Sequence, residues 1–427
     1  MIYGYRMNFQ YPQKLLITTG VKEMNILWGI LGIIVVFGIA LIFSKNRKAI
    51  KLQTILGGLT IQIGFAFIVL KWETGKALLE KLTLGVSEII NYANEGVNFL
   101  FGGIFAAENI GFIFAFQVLT IIIFFSALIS VLYCLGIMQW VIKILGGALS
   151  KILGTSKTES LSAAANIFVG QTEAPLVVRP YLAKMTQSEL FAVMTGGLAS
   201  VAGSVLIGYS LLGVPLEYLL AASFMAAPAG LVIAKIMIPE TNKSETSDDL
   251  SMEKDTESAN VVDAAARGAS VGLQLALNIG AMLLAFIALI ALINGLLGGF
   301  GQLVNIDGLT LERILGYVFA PIAFAIGVPW SEAVIAGGFI GQKLVLNEFV
   351  AYASFAPQIE SLSPKTVIVI SFALCGFANI SSMGILLGGL GNLAPNRRSD
   401  IARMGIRAVI AGMLASLLSA SIAGMLL

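Results

Sequence analysis

The 427-residue chain has no histidine, only two cysteines, and a charged fraction of 12%. Without histidine it cannot assemble the ordinary Cys/His zinc sites or a histidine-based nucleophile and base. Cys134 and Cys375 both fall in apolar runs, so neither belongs to a recognisable metal or redox motif. Charged residues are about half as frequent as the roughly 25% usual in soluble domains, which excludes that class. A net charge of +2 says little about partners, since in a membrane protein the distribution of Lys and Arg between loops carries the information, and no nucleic-acid partner is expected. With no nucleophile–base pair visible, no enzymatic activity is expected.

What the chain has is hydrocarbon: 57% of its residues are hydrophobic. A bilayer core of about 30 Å takes about 20 apolar residues per helix, and runs of that kind lie near 25–43, 53–72, 112–136, 187–212, 214–237, 275–297, 364–391 and 407–427. Two further segments, SLSAAANIFVGQTEAPLVVRPY (160–181) and VIAGGFIGQKLVLNEFVAYASF (334–355), are too short and too polar at their middles to cross. The pattern predicts an all-α polytopic membrane protein with eight transmembrane helices and two re-entrant helical hairpins.

Residues 1–24 show no cleavable signal, and the first apolar run continues to spanning length. Basic residues are unevenly placed: Lys45, Arg47, Lys48 and Lys51 follow span one, Lys143, Lys151 and Lys157 follow span three, and Arg397, Arg398 and Arg403 precede span eight. Read by the positive-inside rule, all three loops are cytoplasmic and both termini lie outside, with Lys14 and Lys22 as mild counter-evidence. The polar, acidic, Ser/Thr-rich stretch 240–260 then becomes a cytoplasmic tether between two comparable halves.

The halves repeat one another. The hairpin around Glu173 precedes a span containing TGGLASVAGSV (195–205), and the hairpin around Glu348 precedes one containing LCGFANISSMG (374–384). Aligning Gly197 with Gly376 pairs Ser200 with Asn379 and Val201 with Ile380. The two hairpins enter from opposite faces in this topology, so the repeat is inverted, the arrangement that puts a substrate site near the midplane. Gly and small polar residues in both spans predict local unwinding, which a bilayer tolerates where the backbone is buried in protein or lines a cavity. Close helix packing is the competing explanation for the small residues. It does not account for two matching carboxylates, each costing at least about 2.5–3.5 kcal/mol at the bilayer centre.

At the first hairpin's break Gly170 ends a half-length helix and Pro175 restarts one at a position where a missing N–H does no harm. Gln171, Thr172 and Glu173 offer donors and acceptors suited to a flat polar heterocycle. Asn347 and Glu348, with Asn379, Ser381 and Ser382 of the matching span, can bond hydroxyl groups. Val205, Leu275 and Phe377 are candidates for the apolar lining. If Glu173 and Glu348 face one cavity without a fixed cation, both ionise only when a mobile cation enters, or one takes a proton. Asn166, the Val169 carbonyl, Ser200 and the Val201 carbonyl form a plausible Na⁺ cage, with an interhelical hydrogen bond as the plainer role for Asn166 and Ser200. Lys343, five residues before Glu348 with a break between, is not expected to pair with it directly.

The segments 165–186 (ANIFVGQTEAPLVVRPYLAKMT), 347–352 (NEFVAY) and 372–391 (FALCGFANISSMGILLGGLG), together with GGLASVAG (196–203), AASFMAAPAGL (221–231) and LQLALNIGAML (273–283), resemble concentrative nucleoside transporters of the bacterial sodium-coupled type. The resemblance runs from about residue 25 to the C-terminus. It implies an inner-membrane homotrimer that imports nucleosides such as uridine and adenosine with Na⁺ by elevator-like movement. It also implies a division of the chain: a tail (1–24), a scaffold of spans one to three with interfacial helices (25–157), and the first hairpin with spans four and five in a transport domain (158–239). There follow the cytoplasmic linker (240–262), an amphipathic segment with span six in the scaffold (263–324), and the second hairpin with spans seven and eight in the transport domain (325–427). Under the same resemblance Gly170, Gln171, Thr172 and Glu173 read the base, Glu348, Asn379 and Ser382 hold the ribose, Val205, Leu275 and Phe377 supply apolar contacts, and Asn166, Val169, Ser200 and Val201 hold sodium. A proton-coupled nucleoside symporter and, more remotely, an elevator carrier of dicarboxylates or amino acids are the alternatives. The latter is disfavoured because 347–352 and 372–391 contain no Arg or Lys for an anion.

Overall fold

The computed structural model describes residues 19–105, 113–245, 258–303 and 305–427. Most of the N-terminal tail, the start of the third expected span and the central part of the expected linker lie outside the described residues. Every regular element among those described is helical.

The first part of the chain holds α1 (Thr19–Ile42), α2 (Leu52–Leu70), the 33-residue α3 (Glu73–Phe105), α4 (Phe114–Gln117), α5 (Leu119–Cys134) and α6 (Ile137–Leu153). The first repeat follows: α7 (Lys157–Ala165), a 3-10 segment (Ala174–Lys184), α8 (Gln187–Ala199), α9 (Gly203–Leu211) and α10 (Leu216–Met237). After α11 (Val261–Leu303) and α12 (Leu311–Ala325) comes the second: α13 (Trp330–Val345), α14 (Glu348–Phe355), α15 (Pro364–Leu374), α16 (Ser382–Leu393) and α17 (Arg398–Met425). Seven helical stretches among the described residues are long and apolar enough to cross a membrane. The seventh expected span, 364–391, is delivered as two shorter apolar helices, α15 and α16.

Local sequence explains the breaks. Thr186 and Glu189 form a reciprocal capping box at the start of α8, with the Thr186 hydroxyl accepting from Glu189 N–H at 3.1 Å and a Glu189 carboxylate oxygen accepting from Thr186 N–H at 2.9 Å. Ser363 caps α15 just ahead of Pro364. Both spans then lose the helix halfway: α8 ends at Ala199 and α9 starts at Gly203, and residues 375–381 separate α15 from α16. The expected unwinding is therefore present in both repeats. The strands of open backbone cross, with Phe377 N–H donating to the Ser200 carbonyl at 3.1 Å. The first hairpin departs from two α-helical arms, because its second arm is 3-10 with Pro175 in its first turn, Pro180 inside and a non-helical Val178 between them.

End-to-end contacts fix the inversion. Lys45 N–H reaches the Met237 carbonyl, Thr186 bonds Glu240, and Arg397 bonds the Met185 carbonyl, so the start of α8, the end of α10 and the start of α17 share one end of the bundle. Lys365 at the start of α15 bonds Asn25, and Lys71 reaches the Leu427 carbonyl, which puts the start of α15 and the end of α17 at the opposite end. A buried ion pair, Lys235 with Glu159 at 2.6 Å, ties the base of the first hairpin to α10 at the first of these ends.

The sixth span is longer than the expected 275–297, and no separate amphipathic segment precedes it. One continuous helix of 43 residues runs from Val261, about 65 Å long at 1.5 Å per residue. Its first turns carry Asp263, Arg267, Ser270 and Gln274, which read as lying outside hydrocarbon, yet their helix is continuous because small residues let it dock on α5. A Cβ at Gly272 would lie 2.8 Å from the Ile123 Cα, and one at Gly268 2.7 Å from the Ala127 Cα, the close small-residue contact typical of membrane helix pairs. Gly272→Leu is expected to force α11 off α5 at a cost of about 1–3 kcal/mol, as overpacking does; the check is the temperature at which detergent-solubilised protein loses its monodisperse peak.

Candidate functional site

Four of the expected site residues line one cavity of about 350 Å³: Val169, Gly170, Glu173 and Leu275. It lies between the first hairpin and the α5–α11 pair, lined also by Tyr133 of α5, Ala202 and Ser204 beside the first break, Val271 of α11, and the arginines Arg179 and Arg267. Its volume falls within the range of small-molecule pockets, roughly 300–1,000 Å³. Glu173 is exposed to it, and its carboxylate folds back over Gly170, where a Cβ would stand 2.5 Å from a carboxylate oxygen. A side chain at position 170 would push that carboxylate aside.

The next two tip residues turn inward. Gln171 is buried against α8, where a Cβ on Gly197 would meet the Gln171 Cβ at 2.9 Å, and its side-chain oxygen has no hydrogen-bond partner. Thr172 reaches α16, its methyl lying where a Cβ on Gly389 would come within 2.9 Å. The hairpin tip thus touches the broken spans of both repeats.

Glu348 sits elsewhere. It is the first residue of α14, buried, with one carboxylate oxygen accepting from the Tyr209 hydroxyl at 3.1 Å and the other from the Asn379 side-chain amide at 3.1 Å. The Asn379 carbonyl oxygen in turn accepts from the Ser381 hydroxyl and from Ser382 N–H at 2.7 and 2.8 Å, which pins the start of α16. Asn347 spends its oxygen capping α14, accepting from Val350 N–H at 2.8 Å. Ser382 is buried beside this cluster and Phe377 is half-buried at the crossing of the breaks.

The expectation that Glu173 and Glu348 face one chamber is not met. Helix α9 lies between their surroundings: Ser204 lines the cavity, whereas Tyr209, about 7.5 Å further along the same helix, reaches Glu348. The buried Val205 lies between the two. The physical reason is that Tyr209 and Asn379 satisfy both carboxylate oxygens within protein, so Glu348 needs no wet cavity.

Two of the proposed cation residues, Asn166 and Ser200, lie beside Gly196 of α8. Asn166 is buried, its amide donates to the Ser162 carbonyl at 2.9 Å, and its side-chain oxygen has no partner. Ser162 and Thr195, on adjoining turns of α7 and α8, also hold buried hydroxyls without partners. Ser200 is buried at the break with its hydroxyl on the Gly196 carbonyl at 3.1 Å. Val169 and Val201 lie in non-helical stretches, where carbonyls are free of the helical ladder. Among the described residues no group of three or more His, Cys, Asp or Glu side chains gathers. Any cation held here is held by neutral oxygens, the ligand type of hard monovalent ions.

Sequence reasoning missed Tyr209, whose hydroxyl in an apolar run was the available signal, since a buried tyrosine normally finds a partner. It also missed Tyr133, in the cavity wall, and the stacking of Tyr209 on Tyr352 at a centroid distance of 4.3 Å.

Comparison with known proteins identifies the family of the chain. Family models described as the Na⁺ dependent nucleoside transporter N-terminus and C-terminus match residues 31–104 and 218–424, and one described as nucleoside recognition matches 115–216. The chain is 61% identical to the uncharacterized transporter YutK of Bacillus subtilis, over 94% of this chain and all of that protein. It is 49% identical to the nucleoside permease NupC of Helicobacter pylori, over 93% of this chain and 97% of the permease. A solved structure of CNTnw in an inward-facing substrate-bound state superposes with a TM-score of 0.90 at 54% identity, covering 95% of this chain and 98% of that one.

Tyr209→Phe leaves the ring stack and removes one bond to a buried carboxylate. Bonds to charged groups are worth about 1.5–3 kcal/mol, so the ligand-free protein is expected to lose that much stability, measured by thermal unfolding in detergent.

Proposed function

The chain belongs to the Na⁺-dependent nucleoside transporter family, and we propose that it is a secondary active symporter that imports nucleosides such as uridine and adenosine across the bacterial inner membrane with sodium. It is a multi-pass membrane transporter and not an enzyme. The observation that carries the sodium reading is the set of buried, unpartnered oxygens of Asn166, Ser162 and Thr195 beside the first break. An unpaired buried acceptor is costly, and a small cation relieves several at once. Asn166, the Val169 carbonyl, Ser200 and the Val201 carbonyl are assigned to that ion.

The nucleoside is assigned to the two polar clusters flanking α9, which requires them to close on one ligand in a conformation other than this one, with substrate hydroxyls replacing the bonds of Tyr209 and Asn379 to Glu348. In this reading Gly170, Gln171, Thr172 and Glu173 take the base from the cavity side. Glu348 and Asn379, with Asn347 and Ser382 around them, take the ribose hydroxyls, and Val205, Leu275 and Phe377 pack on the apolar faces. The ion and the base then share one hairpin: Asn166 stands four residues before Gly170, so filling the cage orders the tip that reads the base. That is the coupling an importer requires, because differential affinity for the ordered tip is what lets one ligand shift the other's binding.

Elevator-type movement is favoured by the way the helices are enclosed. Within the candidate spans α8–α9, α10 and α17 bury 94%, 89% and 89% of their most apolar windows inside the protein, against 11% for α11. The first group forms a core that does not depend on lipid contact, and α5 with α11 forms the wall it faces across the cavity. The outward apolar face of α11, with Leu284, Leu292, Leu296 and Phe300 exposed, together with Phe99 and Leu100 of α3, is assigned to lipid and to the contacts of a homotrimer. Both termini are assigned to the outside by the basic loops, which lie at one end of the bundle.

The direct test is labelled uridine uptake into proteoliposomes with an inward sodium gradient. Accumulation is expected with sodium and not when choline replaces it at fixed pH; uptake indifferent to that replacement overturns sodium coupling. Glu348→Gln keeps shape and loses charge-assisted bonds worth about 1.5–3 kcal/mol each, so uridine affinity should fall by an order of magnitude or more. Asn166→Ala should raise the sodium concentration for half-maximal uptake while the preference between uridine and adenosine stays unchanged.

A further inference from the structure

The second repeat contains a buried charge for which the site as described has no use. Lys343, in the last turn of α13, is fully buried. Its ammonium donates to the Ala373 carbonyl at 2.7 Å and to the Ser416 hydroxyl at 3.1 Å. Among the described residues it makes no ion pair with a carboxylate. Ser416 is in turn within bonding distance of the carbonyls of Cys375 (3.4 Å) and Gly412 (3.3 Å). The ammonium therefore caps the interrupted end of α15, where the helix presents its last carbonyls and the negative end of its dipole within the membrane.

The first repeat has the same electrostatic problem and meets it differently. There α7 ends at Ala165 and α8 at Ala199, but no Lys or Arg occurs between Lys157 and Arg179 or within 187–211. The residue at the end of the hairpin's first helix is Asn166, which offers an unpartnered oxygen where the second repeat has a donor. One repeat presents empty acceptors to a cation, and the other brings a cation to its acceptors. The two places meet at the crossing of the breaks: Ile380 N–H bonds the Leu344 carbonyl, next to Lys343, and Phe377 N–H bonds the Ser200 carbonyl, on the first repeat's side.

We propose that Lys343 is the second repeat's tethered counterpart of the mobile ion, a permanent ammonium at the end of α15 that makes a second sodium unnecessary and lets Glu348 bind substrate as a carboxylate. This rests on the assignment of the first repeat's cage to sodium. Lys343 is a positioning residue, since it touches the half-helix end and not the nucleoside. Its consequence is that only one repeat couples to the ion gradient.

The test compares the full chain with Lys343→Met, which keeps the length of the side chain and loses its charge, in proteoliposomes. Sodium activation of uridine uptake and the ratio of ²²Na⁺ to uridine flux are read together. Wild type is expected to show a Hill coefficient of about 1 and a ratio of about 1, and Lys343→Met a rate at least about tenfold lower at low sodium, recovered at high sodium with both values near 2. Lys343→Arg, which keeps the charge, should stay near 1 in both. A Lys343→Met protein with the wild-type curve and ratio overturns the proposal, as does a folded variant that no sodium concentration restores. Should Lys343→Met fail to give monodisperse protein, Lys343→Gln, whose amide can still bond the Ala373 carbonyl, is judged by the same two readings. Sodium-independent uptake by the wild type overturns the cage assignment instead, and is distinguishable because it appears without any substitution.

Discussion

The hydrogen bond from Phe377 N–H to the Ser200 carbonyl is the contact on which the architecture turns. Backbone that leaves a helix inside hydrocarbon has no water to satisfy it, and each unmet group costs several kcal/mol. Here two spans abandon the helix at the same depth, so that each supplies partners for the other. Each break also bonds its own hairpin, Gly203 N–H to the Phe168 carbonyl and Ile380 N–H to the Leu344 carbonyl. The inverted repeat serves hydrogen bonding in this way: two segments of opposite direction bring a free carbonyl and a free N–H to one point.

From that crossing the functional groups radiate in order. Asn379 stands two residues beyond Phe377 and holds Glu348; Ser200 lies one residue beyond α8 and four beyond Gly196, against which the Asn166 amide packs. The tip of the first hairpin reaches both α8 and α16. A ligand that tightens any of these groups loads the same few bonds, so under the proposed assignment ion and nucleoside have a short physical route to one another without a long relay.

Much of this was legible in the residues. Gly170 and Pro175 inside an apolar stretch, a glutamate in each hairpin, and runs of small residues in matched spans announced re-entrant segments and broken helices, because such residues make no sense in a continuous lipid-facing helix. Other features were not legible. Tyr209 and Glu348 are 139 positions apart, and nothing local in either stretch names the other. The enclosure of Glu348, and hence its separation from the cavity of Glu173, follows from that pairing. The true length of α11 was hidden by Asp263, Arg267 and Gln274, which look like a loop until the helix is seen docked on α5 through Gly268 and Gly272. The ammonium of Lys343 was visible as an oddity, but its partner is a main-chain carbonyl, and carbonyls leave no mark in a sequence.

The enclosure of α8, α10 and α17 bears on how the protein is made. Helix α17 packs on α8, α10 and α15, yet it follows all three in the chain. During synthesis the earlier helices enter the bilayer and meet lipid with faces that the finished molecule hides entirely. Their burial waits for α17, so the core closes only after that helix has been made, and a nascent chain must keep two broken, incompletely bonded spans intact in the membrane until then.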